Sequence, residues 1–290
     1  MNLQYVHNYW DNSDLKSKFI EFLIHIHNLD LTLWDEAGLW DNNFRPFSYL
    51  DDNRMISHVS VYSMDMKIQG KRTRVAQISS VGTHEDYRLK GLNRSLTEKA
   101  VAWAEKEHDF FYLFSDVDAI PFYHKCGFRP IKEYNFSTPV EGRPPLSGIH
   151  KLDMKNPEHR QLAFQLVCKR DTVSDICGVY TPKLFMFICL YFLDTCVYHI
   201  PELNCLVVYK NNTGIITIYD IVAESIPEFD AIYPYICSEE SRTVEFLFMG
   251  DKMGLKEINV LPANEDRHTH IMGNFPLENK SFTFPYSAYA

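Results

Sequence analysis

The spacing of hydrophobic and polar positions changes several times along the chain. From Lys16 to Leu31, Phe19, Ile20, Phe22, Leu23, Ile26 and Leu29 recur at helical spacing behind a cap at Asn12 or Ser13, which predicts an amphipathic helix. Leu33 to Phe47, rich in Trp, Asp and Asn, reads as an ordered loop. Met55 to Met66 alternates, and the alternation resumes from Arg72 to Val81 after the turn Gln69-Gly70-Lys71, which predicts a hairpin. Its second strand runs straight into a segment where Leu92, Leu96, Ala100, Trp103 and Ala104 share a helix face. A short apolar strand, Phe110 to Phe114, follows, then a turn with two aspartates and a short helix ending at Gly127.

Glu141 to Ser147 contains Gly-Arg-Pro-Pro and marks a boundary, so the expected domains are residues 1–140 and 151–290. The second half predicts a helix over Pro157–Lys169, a hairpin of Cys196–Ile200 and Cys205–Tyr209, a strand over Thr213–Val222, a helix over Ile226–Cys237 and a strand over Val244–Met249. Hairpin, strand, helix, strand is the order of the first half again, without sequence identity. The expectation is an α/β protein with mixed sheets, its second half a structural repeat of the first.

Composition narrows the function classes. With 290 residues, 46% hydrophobic and 23% charged, the chain is a globular protein too long for one small domain. A net charge of -9 argues against nucleic acid as partner and suits a cationic one. The apolar run Leu184–Leu193 stops at Asp194, about half of the ~20 residues a membrane span needs, so it reads as a buried helix or strand and no membrane association is expected. The N-terminus lacks a basic start followed by an apolar core, so no signal peptide is expected. Seven cysteines without CxxC pairs fit reduced thiols in a cytoplasm.

The chemically informative segment is Val81–Asn93, VGTHEDYRLKGLN. A strand, a basic glycine loop and a helix can together hold phosphate, because the first N–H groups of the helix lack partners within it. Gly91 permits close backbone approach, and Arg88, Lys90 and Arg94 add positive charge. The loop is neither a Walker loop nor a three-glycine dinucleotide fingerprint. Downstream stands FSDVDAIPFYHKCGFRP, residues 114–130.

Together the two segments resemble the signatures of the GCN5-related N-acetyltransferases (GNAT). Arg88 and Gly91 match the Gln/Arg-x-x-Gly-x-Gly/Ala loop, and Ala119, Tyr123, Gly127 and Phe128 match the later segment. The resemblance spans roughly residues 1 to 135 and extends to the tandem-domain branch of enhanced-intracellular-survival aminoglycoside acetyltransferases, in which a second, degenerate GNAT-like domain lacks a phosphate loop. It implies acetyl-CoA as co-substrate, held by the main chain of Val81, Gly82 and Thr83 and by the N–H groups of Arg88, Leu89, Lys90, Gly91, Leu92 and Asn93. It also implies Tyr123 as the general acid for the leaving thiolate, direct attack by a primary amine of a small molecule or peptide, and no metal. Two positions depart from the pattern: Asn93 stands where the family has Gly or Ala, and its side chain is expected to crowd the pyrophosphate; Asp116 stands where many members place a cofactor-contacting Asn.

The resemblance places the acceptor pocket at Leu33–Phe47, where Trp34, Asp35 and Trp40 suit a cationic amine. His84 and Glu85 read as solvated loop residues. In the aminoglycoside branch the C-terminal carboxylate acts as base, here that of Ala290, and the base is left open. His25-x-His27 faces two ways on a helix, His268-x-His270 reads as a surface pair, and Cys126 beside His124 is not a nucleophile pair. The rival reading is an acyl-CoA-binding or sensory protein without turnover; another acyl group in place of acetyl, and assembly as a homo-oligomer, also stay open.

Overall fold

The computed structural model describes residues 3–263 and 268–289. They form two compact units, each assembled from separate stretches of chain: Met1–Met64, Arg74–Ile131 and His268–Phe275 in the first, Asp65–Thr73, Lys132–Arg267 and Pro276–Ala290 in the second. The expected division at 140 and 151 follows the chain, whereas the units each take in segments from the other half.

Unit 1 begins with β1 (Gln4–His7), α1 (Ser13–His27), α2 (Thr32–Glu36), β2 (Phe44–Asp51), β3 (Arg54–Ile68) and β4 (Lys71–Thr83). It continues through α3 (Leu92–Ala104), β5 (Phe110–Ser115), α4 (Ile120–Lys125) and β6 (Arg129–Ile131). After lending the β3–β4 tip (Asp65–Thr73) to unit 2, the chain goes on there as β7 (Tyr134–Pro139), β8 (His150–Lys151), α5 (Pro157–Val167), β9 (Cys177–Val179), α6 (Pro182–Tyr191) and β10 (Val197–Ile200). There follow β11 (Cys205–Asn212), β12 (Ile215–Val222), α7 (Phe229–Ile236), β13 (Thr243–Phe246) and β14 (Asn259–Pro262), before β15 (His268–Gly273) returns to unit 1.

Helix α1 starts where the Asn12 side chain accepts from the Leu15 N–H, and it stops at His27 because Asn28 turns left-handed (φ 53°). The stretch Leu33–Phe47 is more than the expected loop: it carries most of α2 and the start of β2. The apolar run resolves as helix α6, and among the described residues no helix is long and apolar enough to cross a membrane.

The unit 1 sheet runs β1-β2-β3-β4-β5-β15-β6, with β4 and β5 parallel. On one face Leu96, Ala100 and Ala104 of α3, with Tyr123 and Phe128, pack on Val59, Val61, Ala76, Ile78, Phe111 and Leu113. On the other, Phe19 of α1 lies 4.5 Å from the ring of His58, which continues a buried chain of Tyr9, Ser48, His58 and Ser60. Burial holds His58 well below the ordinary imidazole range, so it is neutral.

Unit 2 repeats this plan. Its sheet runs β14-β7-β13-β12-β11-β10-β8, with β12 and β13 parallel and α7 joining them as α3 joins β4 to β5. The position that β15 fills between β5 and β6 is filled here by β7, between β13 and β14. Each half of the sequence thus lends a strand to the sheet built mainly by the other, and β9 pairs in addition with the far end of β3 at Met66–Ile68.

Within unit 2, Arg170 donates twice to Asp220 (2.8 and 2.7 Å) and once to the Ile221 carbonyl, with both side chains almost wholly buried. Asp220→Ala leaves that guanidinium buried and uncompensated, and is expected to cost about 3–5 kcal/mol of stability, read from the denaturant midpoint.

Candidate active site

The site is built where β4 leaves β5. The two strands pair only at Val75–Phe110, Ala76–Phe111 and Gln77–Tyr112, although β4 runs on to Thr83 and β5 to Ser115. Ser80 takes φ 51° inside β4, a left-handed residue that bends the strand as it departs. The result is a V between parallel strands. Ser79 Oγ on one arm and Ser115 Oγ on the other are buried without a hydrogen-bond partner among the described residues, so both arms carry unsatisfied polar atoms.

The V leads to the loop before α3. Leu89 (φ 61°) and Gly91 (φ 76°) are both left-handed, Leu89 is fully exposed, and a Cβ at Gly91 would meet nothing within 4 Å. Gly91 is the N-cap of α3 and offers no side chain, so the first N–H groups of the helix are free to meet an anion. Leu92 is buried and contributes only its main chain. Around the loop, Arg88 Nε donates to the Thr83 carbonyl, Lys90 Nζ donates to the Asp86 carbonyl and lies over the Tyr87 ring, and Arg94 pairs with Glu98. These contacts fix the cations at the loop without neutralising Arg88 or Lys90. The Asn93 side chain is tied back to β3: its Oδ1 accepts from Ser57 Oγ at 2.6 Å, and Ser57 also meets Thr83 Oγ1 and the Gly82 carbonyl.

Tyr123 lies on the α3–α4 face, buried among Phe122, Phe128 and His270. Burial is the main reason its hydroxyl pKa is raised, with Cys126 and the nearby charge of Asp116 adding to it, so the phenol keeps its proton. Its hydroxyl takes no protein hydrogen bond among the described residues. His270 is 1% exposed rather than a surface residue, and its Nε2 is buried without a partner among the described residues. Its place depends on β15 inserting opposite Leu113, a pairing between distant segments that leaves no local signal in the sequence. Asp116 is exposed just beyond β5.

On the opposite face α1 presses on β4. A Cβ at Gly82 would stand 2.8 Å from Ile26 Cγ2, 3.2 Å from Phe22 Cζ and 3.4 Å from His27 Nε2, so glycine here admits the end of the helix. His27 therefore stands over the free part of β4. The other flank of α1 carries His25, which stacks on His84 (centroids 4.8 Å apart) and bonds Glu85 at 3.0 Å. His84 is buried, not solvated. Glu85's own backbone N–H, and then His25, hold the Glu85 carboxyl down to about 2. His25, His84 and Glu85 bring ligand-type atoms within 4.8 Å of one another, but the Arg54 guanidinium lies against His84 Nε2 and opposes a cation there. This flank walls a cavity of about 440 Å3 with Asp14 and Glu21.

The acceptor residues expected from the sequence form a packed group. Trp34 is buried, Trp40 stacks on Trp10 at 4.4 Å, and the Asp35 carboxylate already accepts from Trp40 Nε1 (2.7 Å) and pairs with Lys16 (2.9 Å). Ala290, whose carboxylate the resemblance would make a base, lies outside the described residues.

In unit 2 the segment corresponding to the phosphate loop, between β12 and α7, is Ala223-Glu224-Ser225-Ile226-Pro227-Glu228. Two carboxylates and a proline without an N–H do not make an anion cradle.

Comparison with known proteins agrees with this geometry. Residues 38–131 match the family model of the acetyltransferase (GNAT) domain. No curated protein matches the chain by sequence. Among solved structures, a conserved protein of Enterococcus faecalis V583 is similar over 93% of this chain and 72% of its own, with TM-score 0.57 and 13% identity. A GCN5-related N-acetyltransferase from Kribbella flavida is similar over 93% and 70% (TM-score 0.53, 15% identity), and Eis1 from Mycobacterium abscessus over 94% and 73% (TM-score 0.53, 12% identity). A stretch within the first half thus matches the GNAT domain model, and along most of its length the chain is similar in fold to these structures, Eis1 of Mycobacterium abscessus among them.

Proposed function

We propose that the chain is an N-acetyltransferase that moves the acetyl group of acetyl-CoA to a primary amine of a small molecule or peptide by direct attack. The observation that carries this reading is the parting of β4 from β5 beside an uncapped helix start with a left-handed glycine. The main chain of Val81–Thr83 would hold the pantetheine arm, and the N–H groups from Arg88 to Asn93 the pyrophosphate, with Arg88 and Lys90 adding charge. Acetyl-CoA supplies the activated thioester. A main-chain N–H near Val81 would meet the oxyanion, where preorganised donors are most effective. Tyr123, kept protonated by burial, would hand its proton to the departing sulfur, with Asp116 just beyond β5 at the rim of the V. No metal has a part in this scheme.

The test is calorimetric titration with acetyl-CoA together with thiol release in the presence of primary amines. Tyr123→Phe is expected to bind acetyl-CoA as the wild type does and to lower kcat by about 10²–10⁴-fold. An unchanged kcat would remove Tyr123 from the mechanism. Binding without turnover by the wild type would instead favour an acyl-CoA sensor.

A further inference from the structure

We propose that His27 is the general base of the acetyl transfer, taking the proton of the incoming ammonium from the α1 face of the sheet while Tyr123 serves the thiolate from the α3–α4 face. The proposal rests on the acetyltransferase reading and adds the residue that the sequence left open.

Residues of β5 alternate, and Phe111 and Leu113 face α3 and α4 with Tyr123. By the same alternation, continued past the strand end, Asp116 falls on the side of Phe110, Tyr112 and Phe114, the side on which α1 lies. His27 ends α1 with its Nε2 3.4 Å from where a Cβ of Gly82 would stand, over the part of β4 that has left β5. A thioester laid along the free backbone of β4 is therefore flanked by an imidazole on one face and a phenol on the other. An amine approaching from the α1 side meets the imidazole first.

The neighbouring histidines do not offer this. His84 has its ring nitrogens engaged by Arg54 and by the Asp86 N–H, His25 is bonded to Glu85, and His270 lies on the Tyr123 face. His27 makes no hydrogen bond among the described residues. The groups around it are apolar Phe22 and Ile26 from its own helix, Gly82 from β4, the charge of Asp116, and His58 from β3, which is buried and neutral. His27 is itself exposed; desolvation by these neighbours lowers its pKa, and Asp116 offsets part of that shift. The imidazole is neutral at pH 7, the form a base requires, and is protonated only as pH falls through its lowered pKa.

His27 Nε2 takes one proton from R–NH3+, and the free amine forms the C–N bond to the carbonyl carbon. The C–S bond breaks and Tyr123 gives its proton to sulfur. The proton that nitrogen sheds on collapse replaces the one Tyr123 gave, and His27 releases its own to water. The net products are the amide, the free thiol of CoA and one proton.

The experiment compares wild type with His27→Gln and Asp116→Asn. His27→Gln is expected to bind acetyl-CoA unchanged by calorimetry, to lose about 100-fold in kcat/KM with ethanolamine, lysine or spermidine, and to lose the acid limb of the pH profile. Its rate with hydroxylamine, whose nitrogen is already unprotonated at pH 8, should stay within about threefold of wild type, a pattern that mere loss of packing would not give. In protein without acetyl-CoA, Asp116→Asn should lower the pKa read from the His27 ring protons by NMR, since a charge that favours imidazolium is removed. Full ethanolamine, lysine and spermidine activity with the acid limb intact in His27→Gln, or an unmoved His27 pKa in Asp116→Asn, overturns the base assignment alone. Failure of the wild type to bind acetyl-CoA overturns the acetyltransferase reading instead.

Discussion

Gly91→Glu is expected to weaken acetyl-CoA binding by about 100-fold or more while the protein stays folded. The position is exposed and no atom lies within 4 Å of a Cβ there, so the change meets no steric barrier in the free protein. Its cost to the fold is the left-handed backbone, about 1–2 kcal/mol for a residue with a Cβ, or a few degrees in Tm. Its cost to binding has a different origin. A carboxylate at the N-cap would occupy the free N–H groups itself and repel the pyrophosphate. Losing one or two charge-assisted bonds of about 1.5–3 kcal/mol each gives the stated factor. Gly91→Ala separates the two costs, because it adds the strain without the charge and should lose no more than about tenfold in affinity. Equal affinities for wild type and Gly91→Glu in calorimetry would move the phosphate site away from α3.

Residues 1–140 expressed alone are expected not to fold. That fragment carries β1 to β7 but lacks β15, which pairs with β5 along His268–Gly273 and with β6 along Thr269–Ile271. Without it β5 faces solvent along its length, β6 loses its pairing, and the face over Tyr123 loses Met272 and His270. Meanwhile β7 is left with no sheet, since its partners β13 and β14 are absent. Co-expression with residues 141–290 should restore a soluble complex with cooperative unfolding, each fragment giving the other its missing strand. Cooperative melting and acetyl-CoA binding by fragment 1–140 alone would show that the exchanged strand is dispensable.

Much of the candidate site was legible because it depends on local chemistry. The Arg88–Asn93 loop and the helix behind it follow from a change of period and from residues that suit a bare helix start, whereas Tyr123 came only from the resemblance. The repeat in unit 2 was legible as an order of elements, and its lack of a phosphate loop as the absence of the motif. What the sequence hid is non-local. His270 reads as a surface residue until β15 is known to lie between β5 and β6. His27 reads only as a helix residue facing away from His25 until Gly82 is seen to admit the helix end onto β4. Asp35 looks like a ligand for a cation, yet Lys16, nineteen residues earlier, already supplies one.

The exchanged strand also sets the order in which the molecule can be made. Arg129, beside the β6 edge, donates to the carbonyl of Gly273, 144 residues later, so a contact that closes the first sheet waits on a segment translated long after the rest of it. During that interval the emerging first half carries an open groove flanked by β5, apolar and ready to pair. Loop closure over such a separation is slow in the way of folds rich in distant contacts. A chain of this design depends on a folding helper during synthesis more than a two-domain protein with contiguous halves would, and its yield should fall when translation outruns that help.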